Sequence, residues 1–342
     1  MRFVAGCRYE RQSCGGSRSS LQRAHPPRRS AALSCEGGRA EPGVRNAVTC
    51  PFRSRFAPTH TDPMRYALVT GASTGIGRDI ALTLDRSGWS VFAGYRKSAD
   101  ADALRSAGSD RLVPLRLDVT EEADIAAAAD VIGTTCGPAG LSGLVNNAGI
   151  AVGKPLEALT TDELRWQFEV NVFGLHAVTR ALLPAVRTAT GRIVNVSSIA
   201  GRISNPITGP YAASKHAVEA LTAALRQELV SEGMWVASVL PGVVATPIWD
   251  KAQAAAESTE LPDDLEARYR PFVETMTRRI RKAPEVGVAP RVVTDAVVHA
   301  LTAQRPRPHY LCGSDARTGN LLRTLLPTWA FERVIRKVMW EQ

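Results

Sequence analysis

The sequence predicts one doubly wound α/β domain, a parallel sheet of about seven strands with helices on both faces. Three observations predict it. Along residues 65–312, short apolar runs alternate with longer segments of helical period. The first run leads directly into a glycine-rich turn and a helix. The chain has 342 residues, 44% apolar and 22% charged, enough for a sizeable core. Wholesale disorder, collagen and a coiled coil are excluded by the same composition. No stretch approaches the roughly 18 consecutive apolar residues of a spanning helix.

The elements follow in order. Residues 65–70 read as a buried strand, and 76–86 as a helix carried by Ile76, Ile80, Leu82 and Leu84 and stopped by Gly88. Residues 90–95 and 112–117 are the second and third strands. An Ala-rich helix over 121–135 follows, with Thr120 as its N-cap and two acids in its first turn. Residues 143–146 form the fourth strand, 161–187 one long helix, and 192–196 the fifth strand. A helix over 211–232, a strand over 235–240, a helix over 290–303 and a short last strand over 309–312 complete the pattern.

Residues 1–63 stand apart from this domain, which covers 64–342. They hold 11 Arg, no Lys and 4 acids, have no sustained period, and read as a disordered Arg-rich extension. Met64, directly before the first strand, is the expected true start; a translated disordered arm or an acid-poor transit peptide are the alternatives. The formal charge of +9 divides into +7 here and +2 in the body. A nucleic-acid footprint would be a basic face on the folded domain, so no nucleic-acid partner is expected. Cys136 and Cys312, isolated in the body, read as small buried hydrophobes in a reducing compartment, and the expected location is cytoplasmic. No Cys/His spacing suggests a metal.

The turn after the first strand is Thr70-Gly71-Ala72-Ser73-Thr74-Gly75-Ile76-Gly77. Gly71 permits a tight turn, Gly75 removes a side chain where backbone meets a pyrophosphate, and Gly77 lets helix and strand pack closely. The helix then offers N–H groups and a positive dipole end to phosphate. These are the mechanics of a Rossmann dinucleotide site. Tyr211 and Lys215 stand at i and i+4 at the head of a helix, so a phenol and an ammonium share one face. The cation is expected to lower the phenol pKa and fit Tyr211 for proton exchange. Ser198 precedes Tyr211 by thirteen residues and Asn171 precedes it by forty.

These motifs resemble the short-chain dehydrogenase/reductase family, over nearly all of residues 65–312, with a looser likeness to its retinol and steroid dehydrogenase branch. The resemblance implies a catalytic tetrad of Asn171, Ser198, Tyr211 and Lys215. Ser198 would bind the substrate oxygen, Tyr211 would exchange the proton, Lys215 would bind the nicotinamide ribose, and Asn171 would hold a water leading to Lys215. It implies cofactor contacts at Gly71, Ser73, Gly75, Ile76, Gly77, Arg96, Asp118, Val119, Asn147, Ala148, Gly149, Tyr211, Lys215 and Thr246. Tyr95 occupies the place of the acid that NAD-specific members carry, and Arg96 follows it as in NADP-preferring members. NADP(H) is therefore expected over NAD(H), since a guanidinium clamps a 2′-phosphate.

The implied activity is interconversion of a carbonyl and an alcohol on a small-molecule, lipophilic substrate, in a homodimer or homotetramer. The alternative is a nucleotide-binding sensor or scaffold on the same fold. Residues 247–290 are expected to cover the substrate, with Trp249, Leu261, Tyr269, Phe272, Val273 and Met276 either walling an apolar pocket or packing on the core. Residues 315–342 read as a helical tail that packs over the pocket or across a subunit interface, with peripheral membrane contact the less favoured role.

Overall fold

In the computed structural model, which describes residues 64–249, 253 and 261–340, seven strands form one sheet in the order β3-β2-β1-β4-β5-β6-β7. Every neighbouring pair is parallel. The strands are β1 (Tyr66–Val69), β2 (Ser90–Tyr95), β3 (Leu112–Arg116), β4 (Gly143–Asn146), β5 (Arg192–Val196), β6 (Trp235–Pro241) and β7 (His309–Cys312). Between them run α1 (Gly75–Arg86), α2 (Ala99–Ala107), α3 (Glu122–Cys136), α4 (Thr161–Phe168), α5 (Leu175–Thr188) and α6 (Gly209–Leu229). After β6 come α7 (Asp263–Val286) and α8 (Pro290–Thr302), and after β7 come α9 (Ser314–Leu325) and α10 (Thr328–Trp340). The extension at residues 1–63 lies outside the described residues.

Alternation along the strands explains why both faces are covered. Ala67 and Val69, Val91 and Ala93, Val145, Val194 and Val239 point to one side, where Ile80 and Leu84 of α1 and Val293 and Val297 of α8 close over them. Leu68, Phe92, Leu144, Ile193 and Val236 point to the other, against Ile125 and Ile132 of α3 and Val178, Leu182 and Val186 of α5. With both faces apolar, the strands read as continuous buried runs, as an all-parallel sheet requires. Cys136 and Cys312 belong to these two cores as free thiols, and burial pushes each to about 11.

Four details depart from the expected elements. The helix expected over 161–187 is two helices joined by a π turn, Glu169–Gly174. The extra residue in that turn swings Asn171 into the interior, where its side chain is only 1% exposed. Thr120 is not a cap: Glu121 takes that place without a side-chain cap bond, and the Thr120 hydroxyl donates instead to Asp118 Oδ1 at 2.8 Å. Helix α2 had no strong apolar period because it buries only Ala101 and Leu104. Within 247–290, most of the described chain is α7, which buries Leu265, Thr275, Ile280 and Ala283.

The sheet order reverses between β1 and β4. The crevice beyond the carboxyl ends of those strands is where doubly wound folds hold ligands.

Candidate active site

The turn from β1 into α1 forms one wall of that crevice. Gly71 and Gly75 have φ of 62° and 56°, a left-handed conformation that favours glycine. A methyl at Gly77 would collide with the Gly71 carbonyl oxygen and the Asn147 side-chain amide. Two residues fasten the turn to the end of β4. Thr70 Oγ1 accepts from the Asn147 and Ala148 backbone N–H groups, both at 2.9 Å. Asn147 Nδ2 donates to the carbonyls of Thr70 at 2.9 Å and Gly71 at 3.1 Å. The Thr74 side chain makes no cap bond to α1, and the first turn of α1 has no acid. Its N–H groups and positive dipole end therefore face the crevice without a built-in anion, and this donor set fits a dinucleotide diphosphate. Ser73 lies in the turn and Ile76 packs beside the core at the start of α1.

The far side of the crevice lies at the ends of β2 and β3. Arg96 follows Tyr95, and its Nε stands 4.0 Å from Asp118 Oδ2 with the side chain 55% exposed. Asp118 Oδ1 accepts from the backbone N–H and hydroxyl of Thr120, at 3.1 and 2.8 Å. A loose, half-exposed ion pair leaves the Arg96 guanidinium able to take another anion. Val119 is buried, with its carbonyl against Gly174 in the π turn.

Four polar groups meet beyond β5. Ser198 lies two residues past the strand and caps the short turn that follows, and Tyr211 and Lys215 stand one turn apart on α6. Lys215 is buried; its Nζ donates to the Val196 carbonyl at 2.9 Å and lies 5.8 Å from the centre of the Tyr211 ring. Asn171 Oδ1 accepts from Ile150 N at 2.8 Å, while its Nδ2 donates to Ile150 O and Ser214 Oγ, both at 3.0 Å. A methyl on Gly149 would lie 3.2 Å from Asn171 Oδ1 and 3.8 Å from Lys215 Nζ, so these three residues share one corner.

The electrostatics differ from the simple expectation for the pair. Burial pushes the Tyr211 phenol up, and hydrogen bonding with Ser198 pulls it back. Burial also pulls the Lys215 ammonium down to about 8, against the charge of Glu219. In the protein alone, then, burial outweighs the help that Ser198 gives to loss of the phenol proton.

The turn after β6 closes the site. Ser198 Oγ donates to the Pro241 carbonyl at 3.4 Å, and a methyl at Gly75 would touch Thr246 at 3.4 Å. The Asp315 carboxylate, in the first turn of α9, accepts from Val243 N at 2.7 Å. A methyl at Gly242 would meet that carboxylate and push it aside, so the bond depends on glycine at this position. Trp249 Nε1 donates to the Val244 carbonyl at 2.6 Å, which ties this candidate wall residue to the turn. The Tyr269 hydroxyl donates to Glu157 Oε2 at 2.8 Å, and Tyr269 and Phe272 pack with ring centres 6.2 Å apart. On the tail, Phe331 is buried while Leu325 and Trp329 are exposed.

The sequence did not mark Thr70, Ser214, Gln167 or Asp315. Ser214 and Gln167 are fully buried; Ser214 receives Asn171, and Gln167 bonds Ile150 O at 2.9 Å and Val152 N at 2.7 Å. Thr70 at the strand end and Ser214 inside the Tyr-to-Lys turn had a positional signal; Asp315, 72 residues from its partner, had none.

A family model described as short chain dehydrogenase matches residues 65–257, more than half of the chain. Retinol dehydrogenase 16 of Mus musculus is 35% identical over 291 residues, covering 83% of this chain and 91% of that protein. A short-chain dehydrogenase from Streptomyces avermitilis is 30% identical and superposes with a TM-score of 0.66 over 80% of this chain and 98% of its own. A short chain dehydrogenase from Burkholderia cenocepacia, solved in complex with NADP, is 28% identical with a TM-score of 0.61, over 79% of this chain and 97% of its own.

Proposed function

This chain belongs to the short-chain dehydrogenase family, an NAD(P)-dependent oxidoreductase acting on CH–OH groups, and from that premise we propose that it interconverts a lipophilic carbonyl and its alcohol with NADP(H). The observation that carries the reading is the meeting of Ser198, Tyr211 and Lys215 beyond β5, on the same rim as the glycine turn. The bound nicotinamide would supply or accept the hydride.

The protein's own groups handle the rest. Ser198 and Tyr211 present two hydroxyls to the substrate oxygen and polarise it by hydrogen bonding. Tyr211 gives a proton to that oxygen in reduction and takes one in oxidation. Lys215 would orient the ribose with its ammonium and adds positive charge beside the phenol. Asn171, fixed by Ile150 and Ser214, holds the π turn against Gly149 and would order a water toward Lys215. Gly71, Ser73, Gly75, Ile76 and Gly77 would hold the diphosphate through backbone N–H groups, Asp118 and Val119 would bind the adenine, and Asn147, Ala148, Gly149 and Thr246 would hold the nicotinamide end. Arg96, loosely paired with Asp118 at 4.0 Å, would clamp the 2′-phosphate. The NADP-bound neighbour supports the cofactor, and the retinol dehydrogenase relative supports a lipophilic substrate.

Two measurements test this. Arg96→Ala should weaken NADPH binding about tenfold, roughly 1.4 kcal/mol, and leave NADH unchanged. Tyr211→Phe should retain NADPH binding and lose turnover by about 100-fold or more. Preference for NADH in the wild type, or full turnover without the phenol, would overturn the respective assignment.

A further inference from the structure

Helix α6 carries a second charge one turn beyond Lys215. Glu219 lies four residues on, so the two side chains share a helix face. Its side chain is 12% exposed. Oε2 accepts from Ser238 Oγ on β6 at 3.1 Å, and lies 3.8 Å from Arg202 Nη2 and 3.6 Å from His309 Nδ1 on β7. Oε1 is buried without a hydrogen-bond partner, as is Ser197 Oγ. Both residues flank Gly201, where a methyl would sit 2.9 Å from Glu219 Cγ, 2.9 Å from the Lys215 carbonyl and 3.0 Å from Ser197 Oγ. The carboxylate is thus packed against the turn that follows Ser198.

A carboxylate with one neutral donor and one unpartnered oxygen is costly to bury unless positive charge surrounds it. Here the charge comes from two elements. Lys215 and Arg226 stand on α6 itself, and Arg202 comes from the turn after β5. His309 faces the group from β7 but stays neutral, because burial and the two arginines pull it down to about 4. An ionised carboxylate only accepts, so Ser238 must spend its hydrogen on Glu219. His309 Nδ1 then carries the hydrogen that meets Ser238 Oγ at 2.9 Å. Three cations face one anion.

We propose that Glu219 is a positioning residue for the reaction: its buried carboxylate holds Lys215 in the charged form beside Tyr211. This rests on the reading of Tyr211 and Lys215 as the proton-handling pair. Without the carboxylate, Arg202 and Arg226 would repel each other unscreened, arginine does not release its proton, and Lys215 would lose the anion one turn on. Lys215, already drawn down by burial, is the group that would discharge.

The test follows the Lys215 charge without needing turnover. Oxidised nicotinamide is positive and the reduced ring is neutral. Binding of NADP⁺ relative to NADPH therefore strengthens when a neighbouring ammonium loses its proton. The ratio of the two dissociation constants, titrated against pH, should show a midpoint that Lys215→Met abolishes. Glu219→Gln should move that midpoint down by about one unit. Glu219→Asp should return it toward the wild-type value. Arg202→Gln, which removes a cation, should move it up, and keeps the test available if the glutamine variant does not fold. In carbonyl reduction, the alkaline limb of kcat should shift downward with Glu219→Gln while KM at low pH stays put. An unchanged midpoint in folded Glu219→Gln, or a shift of the same sign in Arg202→Gln, would overturn the proposal. If the protein reduces no carbonyl, the reading of the reaction fails, and the binding midpoint still decides what Glu219 does to Lys215.

Discussion

Replacing Thr70 with valine removes one oxygen and keeps the shape of the side chain. In the wild type that oxygen accepts from two backbone N–H groups, Asn147 and Ala148, each at 2.9 Å. Thr70 is 1% exposed, so water cannot replace it without opening the turn. Each buried N–H left without an acceptor costs about 1–3 kcal/mol. Asn147 and Ala148 keep some surface, which favours the lower half of that range, so the pair amounts to about 2–4 kcal/mol. With a urea dependence of about 3 kcal/mol per molar, the unfolding midpoint should fall by roughly 0.7–1.3 M. Serine at the same position keeps the oxygen and loses a methyl, at about 1 kcal/mol. Urea unfolding of the two variants under one buffer therefore ranks serine above valine. NADPH titration should follow the same order, because the Gly71 turn loses part of its anchor to β4. A valine variant as stable as the serine variant would refute the argument that Thr70 acts through its hydroxyl.

Two further outcomes are expected. Gly77→Ala forces a methyl against the Gly71 carbonyl and the Asn147 amide, so NADPH binding should weaken by about 30-fold or more, roughly 2 kcal/mol of overpacking; wild-type affinity by titration would count against close helix–turn packing at that residue. His309 has its pKa lowered from 6.5 to about 4, so between those values the unfolded chain binds a proton that the folded chain does not. Stability from this group is present above pH 6.5 and is lost as pH falls toward 4, by about 1–2 kcal/mol once its partial exposure is discounted. His309→Gln should flatten the slope of urea midpoints between pH 7 and 4.5, and an unaltered slope would exclude His309 as its source.

Much of the fold was legible because it depends on local pattern. The strands over 90–95, 143–146, 192–196 and 309–312 match their sequence bounds, since each is a short apolar run ended by a turn residue or charge. The glycine turn and the Tyr211–Lys215 spacing were legible for the same reason: each is a short-range arrangement with one geometric meaning. What the sequence concealed is set by distant partners. The π turn at Glu169–Gly174 follows from Asn171 reaching the backbone of Ile150, 21 residues earlier, and no period within the helix announces it. Thr before acids predicts a cap at Thr120, but its backbone N–H and hydroxyl both donate to Asp118 and the helix begins one residue later, with Glu121 at the cap. Spacing predicts a lowered Tyr211 pKa because it gives the cation's proximity and leaves out desolvation, which is the larger effect. Glu219 reads on paper as one more acid on a helix; only the approach of β6, β7 and the turn after β5 makes it a buried charge.

The bond between Val243 N and Asp315 bears on how the protein is made. The turn beneath the proposed nicotinamide place is closed by a carboxylate 72 residues further along the chain. At about 5–20 residues per second, a ribosome needs roughly 4–14 s to add that interval. During it, the glycine turn, Ser198, Tyr211 and Lys215 have already been synthesised while the Pro241–Val243 turn still lacks its clasp. A nascent chain can thus gather most of its nucleotide contacts before α9 exists, yet the last constraint on the reacting end arrives only when α9 follows β7 from the exit tunnel.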